Sequence, residues 1–364
     1  MKKIIFVGLF PPVINGQSLV NQKVLDIIER RYNVITLKLI DGSSNFFSKI
    51  LFYFILNIKF IFKAGISTKI IYINGTRSVS GFLRNFFIIF WSKIFKHKLI
   101  VHFHTGDVDQ YLKSKPFYIR NIFSNYYSKA NKLIILGKGL MDNFKSFDSK
   151  KVHIIPNGIE TNDLDINKPN DKFNIIFLSN LIESKGYFDL LKSIDILVNE
   201  YKIKNIKCVF CGEFLSTKND SFKNVNQAKF FFNNYILEKQ LQNNVKYLGL
   251  VSGKSKSNLL KKSHLFVLPT EYPIEAQPLS ILEAMSFGCV VLSTNYRSIP
   301  DMIMDRKTGL IIKKSALDIA SKIKELYNNN DFANFLRNNA KDHVSNNFSK
   351  KIFESNLISL FDEI

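Results

Sequence analysis

The segment from Pro269 to Gly288, PTEYPIEAQPLSILEAMSFG, holds the side chains best placed to do chemistry. Glu275 and Glu283 stand on either side of Pro278, a residue suited to the first turn of a helix. Leu279, Ile281, Leu282, Ala284 and Met285 carry that helix, and Gly288 can end it. Strand, loop and helix start in succession form an anion site, because free backbone N–H groups and the helix dipole converge there. A carboxylate in the loop and another inside the helix can reach different parts of one ligand. Two hydrogen bonds accepted from a vicinal diol are what ribose recognition requires of a carboxylate. By spacing alone, a solvated loop Glu and an exposed helix Glu account for the same letters.

Other segments add chemistry of the same kind. Ser179 to Gly186, SNLIESKG, runs from a strand end into a helix and carries Lys185. Phe10 to Gly16, FPPVING, follows the first apolar run. His102-Phe103-His104-Thr105-Gly106-Asp107 closes another strand, on which His102 and His104 share a face while Phe103 points the other way. Two histidines suggest a metal, but no third ligand with suitable spacing follows. Pro156-Asn157-Gly158 reads as a turn near a domain junction, and Tyr247 to Val251, YLGLV, as a strand end.

Glu275, seven intervening residues and Glu283 within a Leu-Glu-Ala-Met helix resemble the signature of the retaining glycosyltransferases of family 4, which have the GT-B fold. The resemblance extends over nearly the whole chain and is specific in combination. It implies a nucleotide-sugar donor, most often UDP-linked, and transfer without a metal or other cofactor. Glu275 and His104 would orient the transferred sugar, with no implication that Glu275 is a covalent nucleophile. Lys185, Asn180, Gly16 and the helix start at Leu279 and Ser280 would stabilise the leaving diphosphate. Glu283 would hold the ribose, and backbone atoms at Gly249 and Leu250 the base. Asn180 stands where the family commonly has Arg, which removes a bidentate cation. Asn15 stands where a second Gly is common; Asn tolerates positive φ better than most residues.

The elements that must position these groups are legible as alternation. Ile4–Gly8, Val34–Leu39, Ile70–Ile73, Leu99–Phe103, Leu133–Leu136 and Val152–Ile155 read as buried strands separated by helical stretches. The alternation restarts with Asn174–Leu178, Ile206–Cys211, Val245–Leu248, Leu265–Leu268, Cys289–Leu292 and Gly309–Ile312. Such alternation implies parallel sheets covered on both faces. The expected fold is therefore α/β: two doubly wound, Rossmann-like domains facing across a cleft, as in GT-B. Residues 1–165 form the acceptor-side domain, 172–345 the nucleotide-sugar domain, and 346–364 a terminal helix packing back on the first. The polar stretch 161–172 is the linker.

Charge is uneven. Residues 1–160 hold 24 basic and 8 acidic side chains, and the rest 27 and 22, so the first half carries most of the net +21. From Gly42 to Gly106 there are nine Lys or Arg and no acid. Phe46 to Phe62 is almost wholly apolar, and Lys49, Asn57, Lys59 and Lys63 fall within about 160° of helical arc. A broad apolar face bordered by Lys fits a helix lying in a bilayer interface. Arg84 and Lys93 on the next helical stretch extend that surface; covering the sheet is the simpler use of both helices. No run of about 20 apolar residues is free of charge, and no export signal is visible. The expectation is a cytoplasmic protein bound peripherally to the inner face of the cytoplasmic membrane, with an anionic membrane surface and a lipid-linked glycan acceptor as partners. Nucleic acid is not expected, since the aromatics are not spaced as stacking platforms. Cys208, Cys211 and Cys289 exclude a disulfide framework and read as core thiols. A nucleotide-sugar epimerase of related fold and a non-catalytic, membrane-bound glycosyltransferase-like partner are the alternatives.

Overall fold

Each of the twelve apolar runs is a strand in the computed structural model, which describes residues 2–12, 16–39, 46–65, 68–161, 168, 172–217 and 219–364. The side chains of 46, 47, 49, 50, 79 and 80 stand outside the described set, as does most of the 161–172 linker. The chain divides into two units, Met1–Gly158 with Lys351–Ile364, and Ile159–Lys350.

The first unit holds β1 (Lys3–Gly8), β2 (Asn33–Lys38), β3 (Thr68–Asn74), β4 (Lys98–His102), β5 (Lys132–Ile135) and β6 (Val152–Ile154). They pair in parallel in the order β2-β1-β3-β4-β5-β6. Helices α1 (Gly16–Ile28), α2 (Phe46–Ala64), α3 (Val79–Ile94), α4 (Val108–Lys113) and α5 (Phe117–Tyr127) connect them. Parallel strands need such crossovers, and covering both faces explains why Ile70 to Ile73 and Leu99 to Val101 are buried without alternation.

The second unit holds β7 (Phe173–Leu178), β8 (Ile206–Cys211), β9 (Val245–Gly249), β10 (Leu265–Leu268), β11 (Val290–Thr294) and β12 (Leu310–Ile312). Its helices are α6 (Tyr187–Asp195), α7 (Val225–Glu238), α8 (Gly253–Lys262), α9 (Leu279–Ser286), α10 (Ile299–Met302), α11 (Ala316–Asn328) and α12 (Asn330–Asn347). The parallel order is β12-β11-β10-β7-β8-β9. Read from the β9 edge, this is the doubly wound order of dinucleotide-binding sheets, and it reverses between β7 and β10. Ligands of open α/β sheets bind beyond the carboxyl ends of the strands at such a reversal. The loops after β7 and β10 are those that carry Lys185 and Glu275.

Helix α13 (Lys350–Asp362) belongs, from Lys351 onward, to the first unit. Buried Phe361 packs on Tyr72 and Tyr32 with ring centroids at 5.9 and 5.8 Å, and the Tyr32 hydroxyl donates to Asp362 at 2.7 Å. Ion pairs Arg30–Glu354 and Lys132–Glu363 flank that contact on the surface.

Candidate active site

In the second unit, two glycines bring three strand-end loops together. Gly186, at φ +76°, follows the short turn Glu183–Lys185 and starts α6; a Cβ there would press into the Pro269 carbonyl and ring. Gly212, at φ +138°, lies against the Ser179 carbonyl in the same way. Without side chains, the loop after β7 can seat directly against the starts of the other two. Glu271 N–H then donates to Ser184 O at 2.8 Å across the β7 and β10 loops.

The outcome is direct contact between Lys185 and Glu275. The ammonium lies 3.2 Å from Glu275 Oε2, donates to Ser179 Oγ at 3.0 Å, and sits 5.0 Å from the centre of the Tyr272 ring. Both side chains are mostly covered, at 14% and 11% exposure. The contact has ion-pair distance without hydrogen-bond geometry, so among the described residues buried Oε2 receives no hydrogen bond. The loop around Glu275 is held from beneath: Thr294 and Ser298 hydroxyls donate to the carbonyls of Thr270 and Ala276, and Arg297 to that of Pro273 at 3.3 Å. Its charge is balanced while an acceptor oxygen stays available, an arrangement able to take a hydrogen bond from a hydroxylated ligand.

Glu283 has a different partner. It sits within α9 and accepts from Lys256 Nζ of α8 at 2.8 Å. Leu279 and Ser280 begin α9 half-buried, and Pro278 before them offers no side-chain cap, so first-turn N–H groups remain for an anion. Asn180 is exposed at the end of β7. Gly249 ends β9 at φ +67°; its carbonyl accepts from Gly212 N–H at 2.8 Å, and Leu250 beyond it is 68% exposed.

In the first unit, His102 and His104 lie on one side of the chain with ring centroids 4.0 Å apart, while Phe103 packs oppositely against Tyr127 and Phe144. The Tyr72 hydroxyl meets His102 Nδ1 at 2.5 Å. Burial pushes the His104 imidazole down to about 3; burial, then His104 itself, pushes His102 well below the ordinary range. Both are neutral near pH 7. Nε2 of each is buried without a partner among the described residues. Buried Asp107 fixes the loop that follows, accepting from Thr105 Oγ1 at 2.5 Å and pairing with Arg77 at 2.7 Å. Gly16 opens α1, exposed and with open space beside it; Asn15 lies outside the described residues.

Of the basic surface, Lys59, Lys63 and Lys93 are exposed and Arg84 is half-buried, while the Lys49 side chain lies outside the described residues. Among its described side chains, helix α2 buries only a narrow stripe, Leu56, Phe60 and Ala64. Leu51, Phe54, Ile55, Ile58 and Phe62 face outward, as do Leu83, Phe87, Phe90 and Ile94 on α3. No described helix is long and apolar enough to cross a membrane. Cys208, Cys211 and Cys289 are free and buried, and burial pushes all three thiols up.

Lys256, Tyr72 and Gly212 stand outside the motifs legible in the sequence, and Ser179, Gly186 and Asp107 lie at motif ends without the contacts described here being legible. Lys256 is one of several lysines on a polar helix, and nothing local marks it. Gly212 directly follows β8 and Gly186 directly precedes α6, positions from which a turn or close backbone approach could have been suspected.

A family model for the glycosyl transferases group 1 matches residues 159–343, just over half of the chain. The chain is a group 1 glycosyltransferase. This glycosyltransferase is 25% identical over 307 residues to an uncharacterized glycosyltransferase of Methanocaldococcus jannaschii, MJ1069, the match covering 77% of this chain and 73% of that one. It is 24% identical over 242 residues to CapM of Staphylococcus aureus, a capsular polysaccharide biosynthesis glycosyltransferase, covering 66% of this chain and 58% of that one. Among solved structures, HepE of Anabaena in complex with UDP matches with a TM-score of 0.77 at 16% identity over all of both chains. Sucrose-phosphate synthase of Thermosynechococcus elongatus matches with a TM-score of 0.78 at 15% identity over 100% of this chain and 99% of that one. The fold is the expected GT-B type, with two six-stranded parallel sheets and flanking helices.

Proposed function

We propose that this glycosyltransferase moves a sugar from a UDP-linked donor, with retention at the anomeric carbon, onto a lipid-linked glycan during assembly of a surface polysaccharide such as capsule or O-antigen. The observation that carries the reading is the Lys185–Glu275 contact at the strand-order reversal of the second sheet. In the reaction the bond between anomeric carbon and diphosphate breaks, the acceptor hydroxyl oxygen bonds to that carbon, its proton passes to the departing diphosphate, and UDP leaves. Lys185 and the first-turn N–H groups at Leu279 and Ser280 stabilise the charge growing on the diphosphate, with Gly16 and Asn180 as close neutral contacts. Such preorganised electrostatics is usually the largest catalytic contribution, and we assign it here to these groups in place of a metal. Glu275 and neutral His104 orient the transferred sugar; Glu283 holds the ribose, and backbone at Gly249 and Leu250 the base. CapM by its name and HepE by its bound UDP support the donor and pathway class. The basic, outward-facing apolar helices support peripheral attachment to the inner face of the cytoplasmic membrane, where a lipid-linked acceptor would be met.

Mass spectrometry of lipid-linked intermediates in cells lacking this protein tests the proposal. An accumulated glycan lacking one sugar, completed in vitro by the purified protein with a UDP-sugar, is the expected result. Isomerisation of a UDP-sugar without acceptor would make the protein an epimerase. Donor binding without turnover across an acceptor panel would make it a non-catalytic partner.

A further inference from the structure

Between α2 and α3 runs an open apolar groove of about 490 Å³, lined chiefly by Tyr53, Phe54, Ile58, Leu83, Phe87 and Trp91. That volume lies within the range of small-molecule sites, about 300–1,000 Å³. Arg84 lies on α3 between two of the lining residues. Its Nε donates to Asn85 Oδ1 at 3.0 Å, and none of the ion pairs among the described residues includes it. Burial holds the guanidinium below its ordinary range. Arg84 precedes the lining residues Phe87 and Trp91 by three and seven positions on α3, so it stands on the groove side of that helix and borders the groove. A half-covered guanidinium lacking a carboxylate is a site for a planar, multidentate anion, phosphate above all.

We propose that this groove binds a single lipid phosphate, its hydrocarbon chain lying between α2 and α3 and its phosphate held by Arg84. The inference deepens the lipid-linked acceptor reading and rests on it for its biological meaning, since such a ligand is the membrane end of that acceptor. Charge complementarity selects the occupant. With no acidic residue from Gly42 to Gly106, a second copy docking symmetrically through this face would present the same cations to it. A hydrocarbon chain ending in an anion satisfies both the apolar walls and Arg84.

Trp91 is the sole tryptophan of the chain and lines the groove, so its emission reports occupancy. The full chain is titrated with farnesyl phosphate, farnesol and inorganic phosphate, the lipids kept below micelle formation. Farnesyl phosphate should shift Trp91 emission saturably, farnesol should bind about tenfold more weakly, as expected for loss of one charge-assisted contact, and inorganic phosphate should leave emission unchanged. Arg84→Gln should bring the two lipids to equal affinity. Ile58→Glu, at an exposed groove position, should weaken both and serves if the Arg84 variant does not fold. Emission without saturation, or a full phosphate preference in folded Arg84→Gln, would overturn the proposal. So would a dimer that farnesyl phosphate does not dissociate. Sedimentation with anionic vesicles, with Lys59→Glu/Lys63→Glu as the released control, and transfer to lipid-linked acceptor separate the readings. Vesicle binding and transfer with no saturable Trp91 response sink the groove alone. A saturable response with no transfer to any lipid-linked glycan sinks the acceptor reading alone.

Discussion

Lys185 Nζ lies 3.2 Å from Glu275 Oε2, yet its hydrogen bond goes to Ser179 Oγ at 3.0 Å. Two groups to which the family resemblance gives separate tasks, diphosphate and sugar, are thus electrostatic partners. An ammonium has three donors, so Lys185 can balance the carboxylate and still meet a phosphate. The two loops bearing them leave adjacent strands, β7 and β10, where the sheet order reverses.

Lys185→Met should lower turnover at saturating donor by about a hundredfold, the scale of removing one preorganised charge-stabilising donor. Glu275→Gln keeps hydrogen-bonding capacity but loses the charge, and should impair turnover while leaving UDP binding within about twofold. Steady-state kinetics with calorimetric UDP binding checks both; equal loss of UDP affinity in the two variants would contradict the division of roles.

If Glu283 holds the ribose as proposed, Glu283→Ala should weaken UDP binding by about tenfold or more through loss of a bidentate acceptor. Lys256→Met removes only the group that steadies Glu283 at 2.8 Å, so its effect should be smaller. Circular dichroism establishes that both fold. A Lys256 variant more impaired than the Glu283 variant would place Lys256 on the ligand instead.

Gly186→Ala forces a side chain into a left-handed backbone position against Pro269. Destabilisation of about 2 kcal/mol or more is expected from the backbone and the clash together, with activity lost because Lys185 is the preceding residue. Denaturant melts and activity measured in the same samples decide it. A variant as stable and active as the parent would mean that the two loops do not need this approach.

Acid should destabilise the fold through His102 and His104. Both imidazoles are depressed in the folded protein, His104 from 6.5 to about 3. The unfolded chain therefore binds more protons over that interval, and stability falls as pH drops from about 6.5 toward 3. Urea midpoints across this range should fall less steeply in His104→Gln. An unchanged slope would mean that His104 is as free to protonate in the fold as in the unfolded chain.

Much of this was legible in order along the chain. Short apolar runs such as Leu265–Leu268 read as buried strands when helices alternate with them, and all twelve appear. The face-sharing of His102 and His104 follows from the two-residue period of extended backbone. Lys256 could not be found that way, because its meaning comes from α8 lying beside α9. Nor could α2 be read correctly in detail. Its sequence is apolar nearly all round, and only packing decides that Leu56, Phe60 and Ala64 turn inward while Phe54, Ile58 and Phe62 turn out.

The amino-acid order by itself determined what is periodic or local: strands, helices, strand-end loops, and the types of charged side chain those loops carry. Tertiary structure alone decided which loops meet. Parallel strands are joined only through long crossovers, so neighbours in a sheet are remote in the chain, and close approach between Gly186 and Pro269 or pairing of Lys185 with Glu275 exists only once the sheet has assembled.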